Sequence, residues 1–161
     1  MTRTVWRIAT DAPGYEADDL TGAGAKTTGG RWNEAGLPVV YASESPALAS
    51  LETIVHLNAD DLPLNRYLVA VTIPDDVWAA AQRESLTSLP VSWDAEPARR
   101  ASMTFASPWL RAGNTALLLV PSAIAPEETN ILINPRLAAS AGIGARKLRK
   151  WLYAPRLAAR T

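Results

Sequence analysis

The sequence predicts an α+β fold in a single domain spanning residues 1–161. Strand-like runs of β-branched and aliphatic residues recur along it, as VVY at 39–41, RYLVAVTI at 66–73 and TALLLV at 115–120. Helical segments lie between some of these runs and not others, which argues against a doubly wound parallel sheet. With 161 residues, 48% apolar and 20% charged, the chain can bury one substantial core. No internal repeat, low-complexity tract or linker divides it.

Val5 to Ala9 reads as a short first strand. The connection from Asp11 to Gly30 is long, polar and rich in glycine (Gly14, Gly22, Gly24, Gly29, Gly30). Loops of that length in a small domain usually carry function or move. Pro38 to Ser43 forms the next strand, and Ser45 followed by Pro46 is a helix start, capping residue then first-turn proline. That helix is expected to run to about Leu57. Arg66 to Ile73 suits a central strand, and Pro74 to Gln82 a short helix with Asp75 and Asp76 favouring its dipole. Residues 83–94 read as irregular. Glu96 to Arg111 reads as a helix kinked or ended by Pro108. Thr115 to Val120 and Ile131 to Asn134 are strands, and Leu148 to Tyr153 a final edge strand.

Composition narrows the chemistry. There is no cysteine and one histidine, so disulfides, thiolate metal sites and multi-histidine sites within one chain are excluded. No run approaches the ~18 apolar residues of a membrane span, and the N-terminus lacks a signal-peptide pattern. A cytoplasmic protein without membrane contact is the expectation. The zero net charge conceals an asymmetry: six of the 16 basic residues and none of the 16 acidic ones lie from Arg146 onward, leaving a body of net charge −6. Such a tail is either a solvated final strand or a contact for nucleic acid or an acidic partner.

Candidate site residues gather between Gly29 and Glu52. On the helix from Ser45, the three- and four-residue neighbours of Glu52 are Leu48, Ala49, Val55 and His56, so the carboxylate emerges on a mainly apolar side. It therefore needs a partner or a wet cleft; an edge position bonded to backbone or to Arg31 would satisfy it equally. Arg31 follows two glycines and precedes Trp32 and Asn33. A guanidinium there suits phosphate oxygens or a structural cation–π contact. Tyr41 ends a buried strand, either as a core tyrosine or as a site residue. Ser122 places a hydroxyl directly after the strongest strand, where turn chemistry is also ordinary.

Together these pieces resemble the RES-domain toxins of bacterial RES–Xre type II toxin–antitoxin pairs, a family named for an arginine, a glutamate and a serine. The likeness runs through Trp6-Arg7-Ile8, Gly29-Gly30-Arg31-Trp32-Asn33, Gly36 and Val40-Tyr41-Ala42-Ser43. It continues with Leu51-Glu52, His56, Val120-Pro121-Ser122, Asn130 and Asn134-Pro135. The resemblance implies an ADP-ribosyltransferase-like fold, a split, mostly antiparallel sheet with flanking helices. It implies cleavage of the nicotinamide–ribose bond of NAD+, with water or inorganic phosphate as acceptor; a protein acceptor is the alternative.

In that scheme Arg31 grips the pyrophosphate, Tyr41 stacks on the nicotinamide or ribose or donates its hydroxyl, and Glu52 steadies the cationic ribose. Ser122 bonds the ligand or orients Glu52. No metal or cofactor is required, NAD+ being the substrate and phosphate a possible co-substrate. The implied partner is an Xre-like, helix-turn-helix antitoxin, through which alone nucleic acid would be reached. A competing reading is a nucleic-acid-binding or ribonuclease toxin using the basic C-terminal segment.

Overall fold

The first strand sets the frame. In the computed structural model, which describes residues 1–55, 63–98 and 100–154, β1 (Thr2–Thr10) and β3 (Arg66–Pro74) pair antiparallel over nine residues, from Thr2 opposite Pro74 to Thr10 opposite Arg66. The other strands are β2 (Val40–Ser43), β4 (Gln82–Arg83), β5 (Leu117–Pro121), β6 (Thr129–Ile133) and β7 (Gly144–Lys150). They form one seven-stranded sheet in the order β4-β5-β6-β2-β1-β3-β7. Every neighbouring pair is antiparallel except β4 and β5. The fold is α+β, as the sequence predicts.

The sheet is split between β1 and β2. Those strands meet only where Trp6 faces Ser43. Continued in register, Arg7 to Thr10 would lie opposite Ala42 to Val39, but they diverge into a wedge. Two helices cover the same sheet face on either side of it. α2 (Pro46–Ile54) packs Ala49 with Ile8 and Leu68. α4 (Arg100–Ala112) packs Ala106, Trp109 and Leu110 onto Leu118, Val120 and Leu132. The opposite face buries Val5, Val40, Val69, Val71, Leu117 and Ile131.

Several elements differ from expectation for physical reasons. The 11–30 connection contains a short helix, α1 (Ala23–Thr28). Glycines and threonines give it little propensity, and tertiary bonds hold it: Asn33 Nδ2 donates to Ala25 O at 2.8 Å and Gly36 N to Lys26 O at 2.7 Å. The helix after β3 is only α3 (Asp75–Ala79). Pro108 lies inside α4 without ending it. The buried face of Ala106, Trp109 and Leu110 outweighs one lost backbone bond, and Ser107 Oγ donates to Met103 O at 2.8 Å one residue earlier. β7 begins at Gly144, four residues before the expected start, because pairing with β3 and not its own basic sequence fixes it. β4, within a stretch read as helix end and loop, is two polar residues beside Leu118 and Leu119.

No helix among the described residues is long and apolar enough to cross a membrane. His56, Arg156 and Arg160 lie outside the described residues.

Candidate active site at the split of the sheet

A cavity of about 640 Å³ opens where β1 and β2 part, lined among others by Arg7, Arg31, Tyr41, Glu52, Glu96 and Asn130. The helix carrying Glu52 is fixed at its start by Ser45 Oγ, which accepts from Leu48 N at 3.1 Å. Glu52 is two turns on, held at one oxygen only. Its Oε1 accepts from Ser122 Oγ at 2.6 Å and from Asn130 Nδ2 at 2.7 Å. Asn130 is itself oriented by Ser43 Oγ, which donates to its Oδ1 at 2.7 Å. Glu52 Oε2 has no hydrogen bond among the described residues, so a rigid carboxylate presents one free oxygen at the cavity. Val55, counted with the apolar side of α2, is exposed at the rim.

Ser122 is fully buried and absent from the cavity wall. Its hydroxyl donates to Glu52 and accepts from Ile124 N and Ala125 N, both at 3.1 Å. Of the two roles expected of Ser122, its bond to Glu52 and its burial favour the orientation of Glu52.

Arg31 stands at the cavity mouth and is heavily engaged. Nη1 donates to Trp93 O at 2.9 Å and Ala95 O at 3.0 Å, and Nη2 pairs with Glu96 Oε1. Its guanidinium latches the 93–96 turn, whose Trp93 stacks on Trp32 with centroids 5.9 Å apart. Burial lowers its pKa, while the charges of Glu52 and Asp94 act in the opposite direction. Arg31 and Glu52 therefore share one cavity and feel each other's field, but the donors expected to clasp a pyrophosphate are mostly committed to protein.

Tyr41 is also tied. Its hydroxyl donates to Asn33 Oδ1 at 2.6 Å and accepts from Trp32 N at 3.1 Å, and burial pushes its pKa far up. A Cβ on Gly30 would lie 2.8 Å from that hydroxyl, so only glycine permits the contact. The ring lines the cavity while its oxygen pins the 30–33 turn. Tyr41→Phe leaves Trp32 N and Asn33 Oδ1 unpaired, at a cost of about 1–3 kcal/mol. Thermal denaturation should show Tm lower by several degrees; an unchanged Tm would mean the clamp is immaterial.

Two residues with clear places here were not singled out for chemistry by the sequence reading. Asn130 is one. Arg7 is the other: it lines the cavity, and its Nε is buried with no hydrogen-bond partner among the described residues. Burial brings its pKa down to about 10, against the opposing charges of Asp19 and Tyr15, so it stays cationic at neutral pH. A signal existed: Val5, Arg7 and Ala9 alternate on the strand parity whose other two members are core.

Four of the six basic residues from Arg146 onward (Arg146, Lys147, Arg149 and Lys150) lie on β7, last in the strand order, and none of the four lines the cavity. Lys147 pairs with Asp11 at 3.0 Å, and Arg149 stacks over Trp151 at 4.7 Å.

Comparison with known proteins places the chain in a family. Residues 4–154 match the family model described as RES domain. The chain is 63% identical over 157 residues, 98% of each chain, to a Sphingobium protein named "Prs ADP-ribosylating toxin". It is 41% identical over 134 residues to a Pseudomonas putida protein named "Toxin Res", covering 82% of this chain and 84% of that one. Its fold is similar to a chain in the crystal structure of the M. tuberculosis MbcT–MbcA toxin–antitoxin complex, with TM-score 0.57 and 17% identity over 98% of this chain and 87% of that one. A nearly full-length family match and relatives 63% and 41% identical over most of the chain lead to one conclusion: the chain belongs to the RES-domain family of toxins.

Proposed function

We propose that this toxin breaks the nicotinamide–ribose bond of NAD+ and passes the ADP-ribosyl group to a protein acceptor. The observation that carries the cleavage step is the Glu52 carboxylate, fixed by Ser122 and Asn130 with its second oxygen free in a cavity that also holds Arg7 and Arg31. When the glycosidic bond breaks, its electron pair goes to the pyridinium nitrogen and neutral nicotinamide leaves. The ribose carbon becomes cationic. A preorganised carboxylate beside it, accepting a hydrogen bond from a ribose hydroxyl, stabilises that charge as it forms. The acceptor's nucleophilic atom then bonds to the same carbon and loses its proton to solvent.

The expected grip of Arg31 on the pyrophosphate passes in this reading to Arg7, whose donors are less committed. Arg31 holds the 93–96 turn as a wall of the cavity and contributes its positive field. Tyr41 walls the cavity with its ring.

A protein acceptor is favoured over water or phosphate by the 63% identical relative named for ADP-ribosylating Prs. The test is intact-protein mass spectrometry of Prs after incubation with the toxin and NAD+, with and without inorganic phosphate. One added ADP-ribosyl group is expected. Unmodified Prs with free ADP-ribose, or with ADP-ribose-1''-phosphate when phosphate is present, would reassign the acceptor to water or phosphate. The partner proposed for restraint is an Xre-like antitoxin. The toxin–antitoxin complex of similar fold supports an antitoxin, and the resemblance of the sequence supplies its type.

A further inference from the structure

Edge strand β7 is a part of the fold that the proposed reaction leaves unused. It closes the strand order beside β3, and no strand lies on its other side among the described residues. Its outer row of backbone N–H and C=O groups is thus open to a further strand. Its sequence, Gly-Ala-Arg-Lys-Leu-Arg-Lys, holds four cations and no acid. The residues before Arg146 carry net charge −6, so this edge is a local positive field on an acidic body.

The register divides the four cations between the two faces of the sheet. Arg146 lies opposite Ala70 and Arg149 opposite Leu68, which puts both on the face that α2 covers. Lys147 lies opposite Val69 and Lys150 opposite Tyr67, on the other face. A bulge opposite Leu68 and Val69, with Leu148 as the extra residue, produces this division. On each face one cation is engaged and one is free. Lys147 pairs with Asp11 at 3.0 Å and lies over the Tyr67 ring at 4.6 Å. Arg149 Nη1 donates to Lys150 O at 3.1 Å, and its guanidinium lies 4.7 Å over Trp151. The side chains of Arg146 and Lys150 are exposed, with no hydrogen bond or ion pair among the described residues.

We propose that this edge takes up an extended acidic segment of a partner protein as an added strand. A second copy of the chain fits poorly, because two β7 strands side by side would set like charges against each other. Lysines and a bulge are the usual guards of an open edge. They turn away a neutral or basic strand and leave an acidic one favoured. Nucleic acid also fits less well than a peptide. It cannot use the open backbone groups, and the free cations sit on opposite faces instead of along one stripe. The rings beside the strand, Tyr67 and Trp151, each hold a cation already. The partner strand therefore needs carboxylates on both of its faces, to meet Arg146 on one and Lys150 on the other. None of the basic residues of β7 lines the 640 Å³ cavity, so a partner held here leaves that cavity open.

The probe is the peptide Val-Glu-Glu-Val-Val-Glu-Glu-Val, which carries glutamates on both faces of a strand. It is labelled with a fluorophore and titrated with the full chain at low salt. Its proline form, Val-Glu-Glu-Pro-Pro-Glu-Glu-Val, keeps the charge but cannot complete a ladder. The first peptide should bind and slow amide hydrogen exchange within β7; the proline form should do neither. Arg146→Glu combined with Lys150→Glu should weaken binding by about tenfold or more, since two opposite-charge cross-strand pairs become like-charge pairs. Both side chains are exposed, so Tm should stay at the parental value. Arg146→Gln with Lys150→Gln carries the test, with a smaller loss, if the reversed variant does not fold. Absence of binding, equal binding of the two peptides, or binding untouched by the substitutions would overturn the proposal. Tighter binding of a labelled single-stranded RNA, lost on the same substitutions, would overturn it in favour of nucleic acid.

Discussion

Glu52→Gln should lower nicotinamide release from NAD+ by about 10²–10³-fold, the usual loss when one preorganised electrostatic group is removed from a transition state. The substitution is nearly isosteric. Its amide oxygen can still accept from Ser122 and Asn130, the two donors 2.6 and 2.7 Å from Oε1. What disappears is the negative charge facing the cavity. The loss should therefore fall on kcat, with KM for NAD+ little changed and Tm within a degree or two of the parent. Ser122→Ala provides the graded comparison, because it frees the carboxylate to swing without neutralising it, and its loss should be smaller than that of Glu52→Gln. Parental turnover by a folded Glu52→Gln protein would remove Glu52 from the chemistry.

Arg7→Met should separate function from stability. Arg7 is a cation held in a desolvated place, its Nε unpaired among the described residues and its pKa brought down to about 10 by burial. A buried charge without full compensation destabilises a fold, and an apolar residue of similar size often restores stability. Tm is expected to rise by about 2–4 °C, the shift that ~1 kcal/mol produces in a chain of this length. Over the same substitution kcat/KM for NAD+ should fall about 100-fold, as expected when a buried charge partner of a ligand is truncated. Thermal denaturation and steady-state kinetics on one preparation read both. A fall in Tm with kcat/KM retained would make Arg7 a structural residue.

The strands with several β-branched or aliphatic residues were legible in the sequence, because burying such runs decides their conformation. Val5 to Ala9 and Arg66 to Ile73 lie within observed strands, and the expected run from Pro38 to Ser43 contains β2, which starts two residues later at Val40. Elements held mainly by distant partners were not. α1 depends on the side chain of Asn33, β4 on the neighbouring edge of β5, and β7 on its register with β3. The start of the second helix was legible because its cap is local: Ser45 and Pro46 set it without help from the rest of the chain.

The candidate site follows the same division. Glu52, Tyr41 and Arg31 come from a motif contiguous in sequence, and the structure sets all three around one cavity. Their individual bonds were not legible. The acceptors that engage Arg31 lie 62–65 residues away in the chain. The Asn130 bond to Glu52 spans 78 residues. Arg7, quoted only as part of the Trp6-Arg7-Ile8 motif, was given no chemical role for another reason. A lone arginine in a strand looks like solvated surface until the pairing of β1 with β3 shows that its parity faces the interior.

The most direct test of the account is the set of small molecules formed when the purified protein meets NAD+ together with the proposed protein acceptor, separated by chromatography and identified by mass. The account requires free nicotinamide, released in step with an ADP-ribosyl product. Intact NAD+ after incubation with folded protein would contradict it, as would nicotinamide mononucleotide and AMP, which would place the cut at the pyrophosphate.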